Sequence, residues 1–162
     1  MPKVIGIVGY KNSGKTTLTR KLAQALKRRG YTVAVVKHTA HHALDLPGKD
    51  TAVLGAVAEQ VAIIAAEESA LFWPRPLGLE EAIAHLQTDF VLVEGFKRVK
   101  THPKIVCLGK EPGADLGGPA ADLFDEQAIL AVGPPDQAVT LDVPYLDWND
   151  VEQITDLVEQ FV

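Results

Sequence analysis

Cysteine is all but missing from this chain. Cys107 stands alone, so no internal disulfide can form, and nothing speaks for an oxidising compartment. It lies in the apolar run from Ile105 to Leu108 and reads as inert core. Long hydrophobic runs are also missing; none approaches the roughly 18 residues that a membrane-spanning helix needs. There is no excess of positive charge. The net charge of −5 argues against a nucleic-acid partner and provides no polybasic membrane anchor. The start of the chain has no basic region, apolar segment and cleavage site of a secretory signal, so a cytoplasmic protein is expected. No internal repeat and no linker interrupts the 162 residues, and one nucleotide-binding domain over 1–162 is expected.

What is present is an ordinary globular composition, 47% hydrophobic and 23% charged, patterned as alternating strands and helices. Lys3 to Val8 is a nearly continuous apolar run, as in a strand buried on both faces. From Thr16 to Arg29, Leu18, Leu22, Ala25 and Leu26 recur at helical spacing with basic residues between them, and Gly30 is a natural stop. Arg20, Arg28 and Arg29 are expected on the solvent side of this helix. Thr32 to Val36 is a second strand, which makes the first pair parallel with a right-handed crossover. A short helix to about Ala58 follows. The runs 61–66 and 70–73 suggest an antiparallel hairpin, open to being core or a dimer contact. Further elements are a helix over 79–86, strands over 90–93, 104–108 and 129–132, and a last helix from about Asn149. Asn149 would cap that helix, with Glu152 completing a capping box. The Gly- and Pro-rich residues 109–122 read as a mobile loop. The fold class is therefore α/β: a three-layer P-loop NTPase fold with a mostly parallel central sheet and an antiparallel hairpin.

Gly9, Tyr10, Lys11, Asn12, Ser13, Gly14, Lys15 and Thr16 match G-x-x-x-x-G-K-[ST] in full. Each constraint has a chemical reason. Polyphosphate oxygens need several converging donors, and backbone N–H groups converge only where the chain curls tightly, which glycine permits. The following helix points its positive end at the phosphates. Lys15 adds a full charge near the β and γ positions, and the Thr16 hydroxyl can ligate Mg²⁺. For Lys11 two readings stay open: a contact to the triphosphate or a partner, and a solvated loop lysine.

A magnesium nucleotide site also needs a carboxylate at the end of a neighbouring strand. Phe90-Val-Leu-Val-Glu94 has that shape. Glu94 would hold Mg²⁺ or orient the attacking water, and lies at the carboxyl end of its strand, where ligands collect. Asp89 is excluded from the same site, because five strand residues put about 17 Å between the two. Lys37, His38, His41 and His42 follow the second strand, so this loop is expected over the γ-phosphate. Asp50 is open to two roles, as a further carboxylate for the metal or as the cap of the helix near Thr51.

Taken in order, Gly9 to Thr17, Val36-Lys-His38, Pro47-Gly-Lys-Asp-Thr51 and Val91-Leu-Val-Glu-Gly-Phe-Lys97 resemble the molybdopterin-guanine dinucleotide biosynthesis protein B (MobB) family over roughly the whole chain. The resemblance implies a GTP-binding adapter with weak GTPase activity, and GTP and Mg²⁺ as cofactors. It also implies a homodimer, with the molybdopterin guanylyltransferase as partner and molybdopterin or its guanine dinucleotide as cargo. Carried over by position, it places the nucleotide on Gly9 to Thr17, the acidic strand end on Glu94, and Lys37, His38 and Asp50 opposite the nucleotide. The guanine-reading N-K-x-D is absent, because the only asparagines are Asn12 and Asn149. Asp136 is open to reading a guanine edge or to being a turn residue.

Slow turnover fits the residues, for there is no clear water-positioning glutamine and no obvious arginine finger. Only Arg75 and Arg98 are expected to be free for a ligand. Two other functions stay in view. A small-molecule kinase would want an arginine-rich lid, whereas 109–122 holds only Lys110 among basic residues. A GTP-dependent metal-delivery protein would use the histidines of 38–42.

Overall fold

The computed structural model describes residues 1–39, 44, 48–109, 121–135 and 141–161. In chain order the elements are β1 (Lys3–Gly9), α1 (Lys15–Arg28), β2 (Val33–Lys37), α2 (Asp50–Gly55), β3 (Val61–Ile64), β4 (Ser69–Phe72), α3 (Leu79–Ala84), β5 (Phe90–Glu94), β6 (Lys104–Cys107), a 3-10 helix (Ala121–Leu123), β7 (Ala128–Gly133), β8 (Tyr145–Asp147) and α4 (Val151–Phe161). They fall into two compact units, Met1–His38 with Leu86–Val162, and Thr39–His85. No helix among the described residues is long and apolar enough to cross a membrane.

The first unit is a six-stranded sheet in the order β2-β5-β1-β6-β7-β8, every pairing parallel. Its middle strands are apolar without alternation because both faces are covered; β5 and β6 are buried at every residue. On one face Ile5, Ile7, Phe90, Leu92, Ile105 and Leu130 meet Leu18, Leu22 and Leu26 of α1 and Ile154 and Val158 of α4. Each such aliphatic side chain contributes about 1.5–3 kcal/mol on burial. On the other, Val8, Val106 and Ala128 pack with Leu123 of the 3-10 helix.

The helical spacing expected in α1 holds, and Gly30 ends it in left-handed backbone (φ 91°). One basic residue departs from expectation, whereas Arg28 stays on the solvent side, 62% exposed. Arg29 points not to solvent but to α4, where it pairs with Glu152, Asp156 and Glu159, and Arg28 pairs with Glu152 at 2.7 Å. These pairs hold Glu152 below the ordinary carboxylate range, Arg29 contributing most, and they take it away from the expected capping box. Asp150, not Asn149, caps α4: its Oδ1 accepts from Gln153 N–H at 3.3 Å. The Asn149 side chain instead accepts from Lys21 at 3.1 Å. β8 was not foreseen, since three half-buried residues carry no periodic signal. Nor was the burial of Lys104, which is 1% exposed and pairs with Asp125 at 2.7 Å.

The second unit holds α2, α3 and the antiparallel pair β3–β4, in register from Val61↔Phe72 to Ile64↔Ser69. This is the expected hairpin, with the first strand two residues shorter and the second shifted by one residue. Its residues are mostly exposed, Ile64 by 83%, so within this unit it is not core. Lys49 occupies the cap position of α2 and Asp50 is its first helical residue. Asp50 therefore does not cap the helix. Its charge sits in the first turn, where the helix dipole favours an anion. Arg75 is not free either; it forms a bidentate pair with Glu81.

Candidate functional site

β1 delivers the chain to Gly9 and α1 resumes at Lys15, so the phosphate loop spans the gap between a buried strand and a helix start. A side chain at Gly9 has no room: its Cβ would lie 2.3 Å from Ser13 Oγ and 2.7 Å from the Cys107 carbonyl oxygen. The loop thus curls onto its own beginning and onto the end of β6. Asn12 (φ 63°) and Gly14 (φ 88°) take the left-handed backbone that closes the curl. No side chain caps α1 and no acid lies in its first turn. Its orphan N–H groups and positive end therefore remain for an anion.

Lys15 folds back over the loop, donating to the Tyr10 carbonyl and, at 3.4 Å, lying beside Ser13 Oγ. Partial burial lowers its pKa. Cys107 and Glu94 oppose that shift, and the neighbouring charges of Lys97 and Lys37 add to it. Beneath it the Cys107 thiol is pushed up to about 12 by burial, so the inert-core reading of this cysteine holds. Lys11, Thr16 and Thr17 are exposed, and Ser13 is buried.

β5 sits between β1 and β2, with Glu94 in register with Ile7 and with Lys37. Strand order therefore sets Glu94 beside the loop, although 78 residues separate it from Thr16. The Thr16 hydroxyl donates to Glu94 Oε1 at 2.7 Å, and Lys37 Nζ lies 3.1 Å from the same oxygen. The Glu94 side chain is 8% exposed. A hydroxyl and a carboxylate oxygen held together are hard oxygen donors of the kind Mg²⁺ takes, so the residues present fit that ion. Asp89 lies at the other end of β5, as expected, where it accepts from Thr32 N–H at 2.7 Å and Thr32 Oγ1 at 2.6 Å.

His38 N–H donates to the Glu94 carbonyl at 2.9 Å, and the His38 ring meets Phe96 edge-on at 4.9 Å. The structure thus brings together Gly9 to Thr17, Glu94, Lys37 and His38. Asp50 belongs to the second unit. His41, His42, Asp45, Lys110 and Asp136 lie outside the described residues. Among the described residues no three or more His, Cys, Asp or Glu side chains are grouped to hold a metal.

Sequence reasoning missed Lys97, whose ammonium lies 3.7 Å from the centre of the Tyr10 ring. The available signal was its place three residues past Glu94, beyond a glycine at which the chain must turn back. It also missed Trp148, whose ring lies 3.6 Å from where a Cβ on Gly14 would stand. That contact depends on β8 and had no local signal.

The sequence profile of the molybdopterin guanine dinucleotide synthesis protein B family matches residues 4–131. The chain is 34% identical over 172 residues to the molybdopterin-guanine dinucleotide biosynthesis adapter protein of Escherichia coli, covering 100% of this chain and 94% of that one. It is 36% identical over 121 residues to a Methanocaldococcus jannaschii relative; that match takes in 70% of this chain but spans only half the relative's length. The crystal structure of Bacillus subtilis MobB superposes with a TM-score of 0.75 at 26% identity, covering 99% of this chain and 98% of that one.

Proposed function

The chain belongs to the molybdopterin guanine dinucleotide synthesis protein B family, and from that premise we propose that it is a GTP-binding adapter in molybdopterin guanine dinucleotide biosynthesis, with weak Mg²⁺-dependent GTPase activity. Its partner is the molybdopterin guanylyltransferase and its cargo molybdopterin or the guanine dinucleotide. It works in the cytoplasm, without nucleic acid or membrane. The observation that carries the nucleotide reading is the Thr16–Glu94 hydrogen bond of 2.7 Å at the head of an uncapped helix. The loop N–H groups and Lys15 bind the phosphates, and Thr16 and Glu94 hold Mg²⁺. Once bound, the ion supplies positive charge to the phosphate oxygens. Glu94 also orients the attacking water. The choice of guanine rests on the family and on the name of the E. coli relative.

Titration with GTP and ATP, with and without Mg²⁺, tests this reading. Tight Mg-GTP binding with slow phosphate release supports it. A preference for ATP, or fast turnover with an added acceptor, would replace it with the kinase reading. The variant Glu94→Gln is expected to retain nucleotide binding while hydrolysis falls about a hundredfold, as removal of one preorganised group from the reacting centre does. Unchanged turnover in a single-turnover assay would remove Glu94 from catalysis.

The homodimer is assigned to the second unit. There Val53, Leu54, Val57, Ile63, Ile64 and Leu71 are all exposed, and among the described residues β3 and β4 pair only with each other. A two-stranded sheet with apolar side chains and two open edges is marginal alone and gains from pairing with a second copy. Ile64→Lys is expected to raise the dimer dissociation constant at least about tenfold, since a charge at a buried apolar contact is costly. Sedimentation would show monomer at micromolar concentration; an undiminished dimer would move the interface elsewhere.

A further inference from the structure

Three ammonium groups gather at the mouth of the phosphate loop, from Lys15, from Lys37 at the end of β2 and from Lys97 in the turn after β5. One described carboxylate, Glu94, faces them, and Lys37 and Thr16 already engage it. Lys97 is seated instead on the Tyr10 ring. The backbone that brings it there is unusual. Gly95 (φ 99°) and Phe96 (φ 50°) are consecutive left-handed residues. A Cβ on Gly95 would come 3.0 Å from His38 Cβ, so only glycine fits the first position. A bulky residue stays in the second only where its surroundings hold it, and here the His38 ring and the Gly95 N–H bond to the Ile7 carbonyl do so. The turn folds the chain back so that Lys97 overhangs the loop with no described carboxylate to neutralise it. An aromatic face attracts an ammonium less strongly than a phosphate oxygen does. The loop motif already places Lys15 on the β and γ positions, leaving an outer cation for the far end of a polyphosphate.

We propose that Lys97, seated by Tyr10, binds the outer face of the terminal phosphate and adds to the preference of this site for a nucleoside triphosphate over a diphosphate; the inference rests on the nucleotide reading above. Tyr10 is a positioning residue and Lys97 the phosphate ligand. Lys37 differs, because its charge is spent on Glu94.

Calorimetry with GTPγS and with GDP, each with Mg²⁺, tests the assignment on wild type, Lys97→Met, Lys97→Arg, Tyr10→Leu and Tyr10→Phe. Lys97→Met is expected to lose about tenfold in GTPγS affinity and less than about twofold in GDP affinity, because one charge-assisted contact to one phosphate is removed. Tyr10→Leu should shift the ratio the same way, whereas Lys97→Arg and Tyr10→Phe, which keep the charge and the ring, should preserve it. Should Lys97→Met fail to fold, Tyr10→Leu carries the test. Wild-type binding with an unchanged GTPγS/GDP ratio in Lys97→Met, or equal loss of both ligands, overturns this inference alone. Wild-type protein that binds neither nucleotide overturns the nucleotide reading, and this inference with it.

Discussion

Lys15→Ala is expected to weaken Mg-GTP binding about a hundredfold, or about 2.8 kcal/mol. Lys15 is the one cation rising from the phosphate loop itself whose side chain lies across it, touching the Tyr10 carbonyl and Ser13 Oγ. Charge-assisted contacts to two phosphates would each contribute about 1.5–3 kcal/mol. Burial is the chief reason its pKa lies below the ordinary lysine value. The fold should survive, because the side chain bridges only its own loop. Calorimetry measures the loss and a melting curve confirms the fold; an unchanged affinity would mean the phosphates do not sit in this loop.

Asp125→Ala is expected to cost about 3 kcal/mol of stability, read from urea unfolding, because removing one partner leaves a buried charge uncompensated. Lys104 is 1% exposed, its Nζ lies 2.7 Å from Asp125 Oδ2, and it stands in β6 between β1 and β7. Adding Lys104→Met to Asp125→Ala should recover most of the loss, since an apolar side chain of similar shape needs no partner. Failure to recover would assign the cost to the Gln127 N–H that Asp125 also accepts. The pH dependence has a definite sign. Burial pushes the Asp125 carboxyl up, but Lys104 and the Gln127 N–H outweigh it and leave the group below its ordinary value. The pair's stabilisation is therefore complete above the unfolded carboxylate pKa and disappears as pH falls through the lower folded value. Wild type should lose this increment on acidification, and Asp125→Ala should not.

How much was legible beforehand differed by element. The strands at 3–9 and 90–94 announce themselves because both faces are covered and Val4 to Val8 and Phe90 to Val93 are nearly continuous apolar runs. α1 announces itself because one face is covered and Leu18, Leu22, Ala25 and Leu26 recur at its period. β8 has three half-buried residues, and its place depends on β7 next to it. The cap of α4 lies one residue beyond Asn149, at Asp150, although both are good caps. What separates them is that Arg28 and Arg29 hold Glu152 and that Lys21 takes Asn149, contacts more than 120 residues away in the chain.

The sequence by itself determined the phosphate loop, since glycine, lysine and threonine at their fixed spacing have local reasons: a tight curl, a charge and a hydroxyl. It also placed Glu94 at a strand's carboxyl end, because five residues of β-strand set a direction and a length. Only the tertiary structure decided which acid meets which cation. Strand order put β5 between β1 and β2, and so brought Glu94 to both Thr16 and Lys37. Two left-handed residues turned Lys97 back onto Tyr10. The physical reason is that a local motif is written in backbone geometry a few residues long, whereas the partner of a charge is set by which strands pair, and pairing is a property of the whole sheet.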